Sequence, residues 1–166
     1  MVATGRCARS SGVRELNEYL VRLIPALSLF FVATCAASAG TVAETATKWG
    51  LIGRWSLDCK LPLDHDRGAV LSYEVGDSGR VMLHRDFGDG EDEAEVTAAD
   101  ISDDNLLNLR IYFPQLKLTR ELGLKLEADG TIRAMYNRSR NGAYTIKDGK
   151  IMANGKPTPP QHRCGE

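Results

Sequence analysis

An all-β fold, either a sandwich or a barrel, is what this sequence predicts, and three observations carry that prediction. Short runs of apolar residues alternate with polar ones from Trp55 to Ile146, which is the period of a half-buried strand. Turn signals such as Asp129-Gly130, Asn141-Gly142 and Asp148-Gly149 separate the runs, as tight hairpins require. Beyond the first forty residues almost no helical periodicity is read. At 166 residues the chain is of single-domain length.

The first segment reads as targeting rather than as structure. Arg6, Arg9, Arg14 and Arg22 precede an apolar run over residues 23–37, followed by the small-residue pattern Ala37-Ser38-Ala39 and then Gly40. That order of charge, apolar run and A-x-A site is the pattern of a secretory signal peptide. The run is shorter than the roughly 20 residues of a membrane span. The expectation is a signal peptide over 1–39 cleaved between Ala39 and Gly40, a linker over 40–47 and a β domain over 48–166. Val32-Ala33-Thr34-Cys35 is similar to a lipobox, so lipidation at Cys35 is the alternative processing route.

The strands come next, in chain order. Trp55, Leu57 and Cys59 alternate with Ser56 and Asp58, and Pro62 in the loop over 61–67 ends that strand. Ala69, Leu71, Tyr73 and Val75 alternate next, up to the turn Gly76-Asp77-Ser78-Gly79. Val81, Leu83, Arg85 and Phe87 run into an acidic loop over 88–93, and a weaker strand lies over 95–101. Leu107, Leu109, Ile111 and Phe113 form a strong strand stopped by Pro114. Leu116, Leu118, Leu122, Leu124 and Leu126 share one face of the next strand. Ile132, Ala134 and Tyr136 return from the Asp129-Gly130 turn, and Tyr144 and Ile146 come after the Asn141-Gly142 turn.

Loss of residues 1–39 takes Cys7 and Cys35 with it and leaves Cys59 and Cys164. Two cysteines in an oxidising compartment are expected to pair. Localisation is therefore expected to be periplasmic or secreted.

Gly53-x-Trp55 at the head of the first strand resembles the G-x-W motif of lipocalins and the wider calycin group. The resemblance implies a small antiparallel up-and-down barrel of about eight strands, with the Trp closing one end and packing beneath an Arg. The chain also resembles small secreted bacterial envelope proteins of unknown function, through Trp55-x-Leu57-x-Cys59 and the closing Thr158-Pro159-Pro160 and Cys164. That second resemblance implies that the first and last strands lie side by side, locked by Cys59 and Cys164.

Catalytic and metal constellations are scarce, so the expectation is no enzyme, no cofactor and no metal. Asp64-His65-Asp66 lacks the spacing of a zinc site. The carboxylates Asp86, Asp89, Glu91, Asp92 and Glu93 do not follow an EF-hand order. No G-x-S-x-G elbow occurs. The formal net charge of −1 argues against a nucleic-acid partner, which needs clustered Lys and Arg.

Arginine stands apart. Arg85, Arg120 and Arg138 each continue an apolar alternation and point inward if their strands stay regular, although an unpaired buried charge is expensive. Three explanations are open. A β-bulge or a mouth position turns the side chain to water; one Arg stacks on Trp55; or inward guanidinium groups hold a carboxylate or phosphate. Trp55, Arg85, Arg120, Tyr136 and Arg138 are the candidate ligand-binding residues. Two functions are expected from different classes. One is an envelope interaction protein acting through its loops, favoured by a filled barrel. The other is a periplasmic binding module for a small apolar or anionic ligand, favoured by an inward Arg in an open cavity.

Overall fold

The computed structural model describes residues 40–60 and 68–165. The expectations for the leader over 1–39, Ala39 and Cys35 included, and for Asp64-His65-Asp66 lie outside those residues. Where a linker over 40–47 is expected, the chain instead forms a helix, α1 (Val42–Trp49). Its start is a capping box: Glu44 N–H donates to Thr41 Oγ1 at 3.2 Å, and Thr41 N–H donates to Glu44 Oε2 at 2.8 Å. These two bonds satisfy donors that no helical partner reaches. Gly50 ends the helix in the left-handed region at φ 92°, a conformation glycine adopts without a Cβ penalty.

Among the described residues ten strands succeed the helix: β1 (Gly53–Ser56), β2 (Val70–Val75), β3 (Val81–Asp86), β4 (Glu91–Ile101) and β5 (Leu107–Phe113), then β6 (Leu118–Leu126), β7 (Ile132–Ser139), β8 (Tyr144–Lys147), β9 (Lys150–Ile151) and β10 (His162–Cys164). They form one antiparallel sheet in the order β10-β1-β2-β3-β4-β5-β6-β7-β8-β9. Among the described residues the fold is all-β, as expected, with one short helix that was not, and it is not the closed barrel of about eight strands. The sheet is open, with β9 and β10 at its two edges. β9 has two residues and β10 three, and no ladder joins them: β9 pairs with β8 and β10 with β1. A single antiparallel bridge, Ile132 to Gln161, ties the stretch before β10 back to β7.

β1 and β10 do lie side by side, with Arg54 opposite Cys164, Trp55 opposite Arg163 and Ser56 opposite His162. Cys59 and Cys164 are disulfide-bonded, with their Cα atoms 5.4 Å apart. The acidic stretch read as a loop is partly strand. β4 starts at Glu91 and spans 11 residues, because Asp92 and Glu93 pair with Arg85 and His84 on β3.

One face of the sheet supplies the core. On β5 the buried residues Leu107, Leu109, Ile111 and Phe113 alternate with Asn108, Arg110 and Tyr112, and each fully buried side chain of this size contributes about 1.5–3 kcal/mol. Trp55, Tyr73 and Leu51 join the same cluster, as do Ala46 and Trp49 from α1. The helix packs on β3 and β4, and the Trp49 indole N–H donates to the Asn105 carbonyl at 3.0 Å. This pins α1 beside the β4–β5 turn. The opposite ends of the strands, where β3 and β5 finish and β2 and β6 begin, remain uncovered by the helix.

Three register shifts break the two-residue alternation: at Val96/Ala98 between β4 and β5, at Gly123/Leu124 between β6 and β7, and at Asn137/Arg138 between β7 and β8. Each inserted residue reverses the facing of the residues beyond it on its strand. The last two shifts decide which polar side chains face inward.

Candidate functional site

The uncovered end holds a cavity of about 460 Å³, open to solvent on one side. Its walls are mainly apolar: Leu71, Leu83, Ile111, Phe113, Leu118, Leu122 and Leu124 come from β2, β3, β5 and β6. Thr158, Pro159 and Gln161 complete it from the C-terminal segment. That segment is firmly held. Thr158 Oγ1 donates to the Ala134 carbonyl at 2.7 Å, Thr158 N–H donates to Gly149 O at 2.8 Å, and Arg133 donates to Thr158 O. Paired hydrogen bonds at 2.9 and 2.8 Å join Ile132 and Gln161.

Two of the three inward arginines reach this cavity. Arg85 lines it from β3, and Asp92, its cross-strand neighbour on β4, binds it in a two-pronged ion pair with Nε to Oδ1 at 2.7 Å. Its guanidinium also lies over Phe113, 4.5 Å from the ring centroid, a cation–π arrangement. Arg85 is therefore charge-compensated.

Arg120 differs. Its Nε donates to Asn137 Oδ1 at 2.6 Å and its Nη2 donates to Thr145 Oγ1 at 2.8 Å. Both acceptors are neutral, and among the described residues no carboxylate pairs with it. Burial, and secondarily the like charge of Arg85, lower its pKa from the ordinary value. Both causes disfavour a cation, so Arg120 stands in the cavity wall as an uncompensated charge.

Arg138 and Tyr136 are turned the other way, which corrects the inward expectation for both. The register shift opposite Gly123 leaves Ala134 on the cavity face and brings Asn137 onto it. Tyr136 and Arg138 instead line a separate polar recess of about 240 Å³ with Asp100, Asn108 and Glu121. Arg138 Nε donates to Glu121 Oε2 at 2.6 Å, and Tyr136 donates to Asn108 Oδ1 at 2.9 Å. The Arg138 pKa is raised, first by its hydrogen bond to the Tyr144 hydroxyl and then by Glu121. These groups satisfy one another.

Trp55 is buried but outside the cavity walls, and its indole N–H donates to Leu51 O at 2.8 Å. The arginine that covers it is Arg163, whose guanidinium is 5.3 Å from the ring centroid, rather than any of the three inward candidates. Gly53 makes the space: a Cβ there would sit 3.1 Å from Arg163 Nη2, and its φ of +134° suits glycine alone.

Tyr73, Asn137, Thr145 and Gln161 line the cavity without having been singled out as site residues. Tyr73 sits in a visible alternation and reads as an ordinary core aromatic. Asn137 and Thr145 reach the site through shifted registers, which carry no local signature. Among the described residues no group of three His, Cys, Asp or Glu side chains is placed to hold a metal ion. No family model matches the chain, and searches of curated proteins and of solved structures return no match.

Proposed function

We propose that this protein is a binding module for a small amphipathic molecule with an apolar body and one anionic group. Arg120 carries the reading: a guanidinium without a carboxylate partner among the described residues, set in the wall of an otherwise apolar cavity. Cavities of roughly 300–1,000 Å³ with apolar walls and a few polar groups are the usual form of small-molecule sites. A charged group from the ligand that pairs with Arg120 offsets its desolvation, as a charge-assisted hydrogen bond does. The polar lining residues are Tyr, Arg, Asn, Thr and Gln. That set suits holding a ligand better than moving protons at neutral pH.

The open cavity favours this reading over an interaction protein acting through its loops. We extend the proposal to origin: a secreted or periplasmic calycin-like domain released from a signal peptide. The Cys59–Cys164 disulfide supports an oxidising compartment, and the stacking of Arg163 on Trp55 behind Gly53 supports the calycin likeness. No helix among the described residues is long and apolar enough to cross a membrane.

Thermal unfolding with a panel of alkyl carboxylates, alkyl phosphates and matched neutral alcohols tests the binding reading. A rise in melting temperature confined to the anionic members is the expected result. No shift with any member contradicts it.

A further inference from the structure

Among the described residues, Tyr73 Oη is the one buried side-chain polar atom without a hydrogen-bond partner. Leaving such a hydroxyl unpaired is costly, and Tyr73 is one of the residues that line the cavity together with Arg85 and Arg120. Tyr73 stands opposite Leu83, and Arg85 stands opposite Leu71. Tyr73 and Arg85 are thus diagonal neighbours on one face of β2 and β3, a spacing that long side chains bridge.

Burial raises the Tyr73 pKa far above the ordinary phenol value, with the Arg85 charge acting against it. The hydroxyl is therefore a donor at neutral pH. Tyr73, Arg85 and Arg120 line the same cavity. Asp92 occupies Nε and Nη2 of Arg85, and Asn137 and Thr145 occupy Nε and Nη2 of Arg120. The Tyr73 hydroxyl and the Nη1 groups are left to donate to an anion.

We propose that the ligand is a monocarboxylic amphiphile that enters head-first, its carboxylate accepting from the Tyr73 hydroxyl and from Arg120. The tail lies along Leu118 and Leu122 toward the exposed Leu116, and a volume of about 460 Å³ accommodates on the order of a dozen non-hydrogen atoms at about 30 Å³ each. Tyr73 is then a specificity-determining donor, because a site built around a buried hydrogen bond rejects ligands that lack the partner. This inference rests on the binding reading above and adds the head group and its orientation.

The test is calorimetric titration of the oxidised protein with decanoate, decanol and acetate, using wild type and Tyr73→Phe, with melting temperatures recorded without ligand. Wild type is expected to bind decanoate at least tenfold more tightly than decanol or acetate. Tyr73→Phe is expected to melt at or above the wild-type temperature, since only an unpaired hydroxyl is removed, and to bind decanoate roughly tenfold to a hundredfold more weakly. Equal decanoate affinity in the two proteins overturns the head-first inference and leaves the cavity reading standing. Decanol bound as tightly as decanoate also overturns it. A lower melting temperature for the unliganded variant contradicts the unpaired state of the hydroxyl. Failure of wild type to bind decanoate overturns this inference, and if the alkyl phosphates also fail to shift melting it removes the binding reading as well.

Discussion

Arg163 and Trp55 stand directly opposite each other on β10 and β1, with the guanidinium 5.3 Å from the ring centroid and donating to the Ile52 carbonyl. The contact exists because residue 53 has no side chain. A Cβ at Gly53 would approach Arg163 Nη2 to 3.1 Å on a backbone with φ +134°, so Gly53→Ala is expected to destabilise by about 1–3 kcal/mol through backbone strain and crowding. Urea unfolding of the variant measures this. A midpoint unchanged from wild type would mean that the Trp55–Arg163 arrangement places no demand on Gly53.

The disulfide makes a second prediction. Proteolytic mapping without reduction should recover Cys59 and Cys164 in one linked peptide pair. Their separation of 105 residues encloses most of the β domain, and loss of such a link costs about 2–5 kcal/mol. Cys59→Ser and Cys164→Ser should each show that loss, and the double variant should be no worse than either single one.

Gly123 and Tyr136 make a third. The Tyr136 ring lies across Gly123, so that a Cβ at residue 123 would fall 2.1 Å from Cε1. Gly123→Ala should therefore destabilise strongly in wild type and much less in a Tyr136→Ala background. A double-mutant cycle measures the coupling, expected at about 0.5–3 kcal/mol for residues in contact. Additive costs would show that the ring does not occupy that space.

A fourth prediction concerns acid. Asp129 accepts from Thr131 N–H at 3.0 Å and from the Thr131 hydroxyl at 2.7 Å, and these bonds lower its pKa from 3.8, the backbone one foremost. A carboxylate with a depressed folded pKa adds stability above its unfolded value, and that stability is lost as pH falls through the folded value. The Asp129 contribution to stability should therefore hold from neutral pH down to the region of 3.8 and then decline. NMR titration of Asp129 should give a midpoint below 3.8, and Asp129→Asn should flatten the acid limb.

The strands that a two-residue period can reveal were legible. β2, β3 and β5 follow the alternations through Tyr73, Leu83 and Leu109, and the inward placement of Arg85 and Arg120 comes from the same count. The residues that escaped it depend on longer-range geometry. An extra residue opposite Gly123 turns Tyr136 and Arg138 outward and Asn137 inward, and nothing local in residues 132–139 announces a bulge. α1 is a different kind of miss. Thr41-x-x-Glu44 and Gly50 are start and stop signals present in the sequence, but the leader pattern before them makes residues 40–47 read as a linker. Barrel closure was not legible at all, since it depends on whether the two edge strands, β9 and β10, pair with each other across the sheet. The unpaired hydroxyl of Tyr73 is likewise a property of its surroundings, invisible in an alternation where it counts as apolar.

Arg120 is where sequence pattern, packing and proposed function meet, and its replacement by an apolar side chain tests the central claim most directly. Arg120→Met removes the uncompensated charge while keeping an extended side chain, and water in the open cavity replaces its hydrogen bonds to Asn137 and Thr145. The measurement is decanoate affinity by calorimetric titration, on wild type and Arg120→Met, with unfolding of both recorded alongside. The account predicts similar melting temperatures and a decanoate affinity reduced by roughly tenfold to a hundredfold, the worth of a charged hydrogen bond. Equal affinity in the two proteins would contradict it.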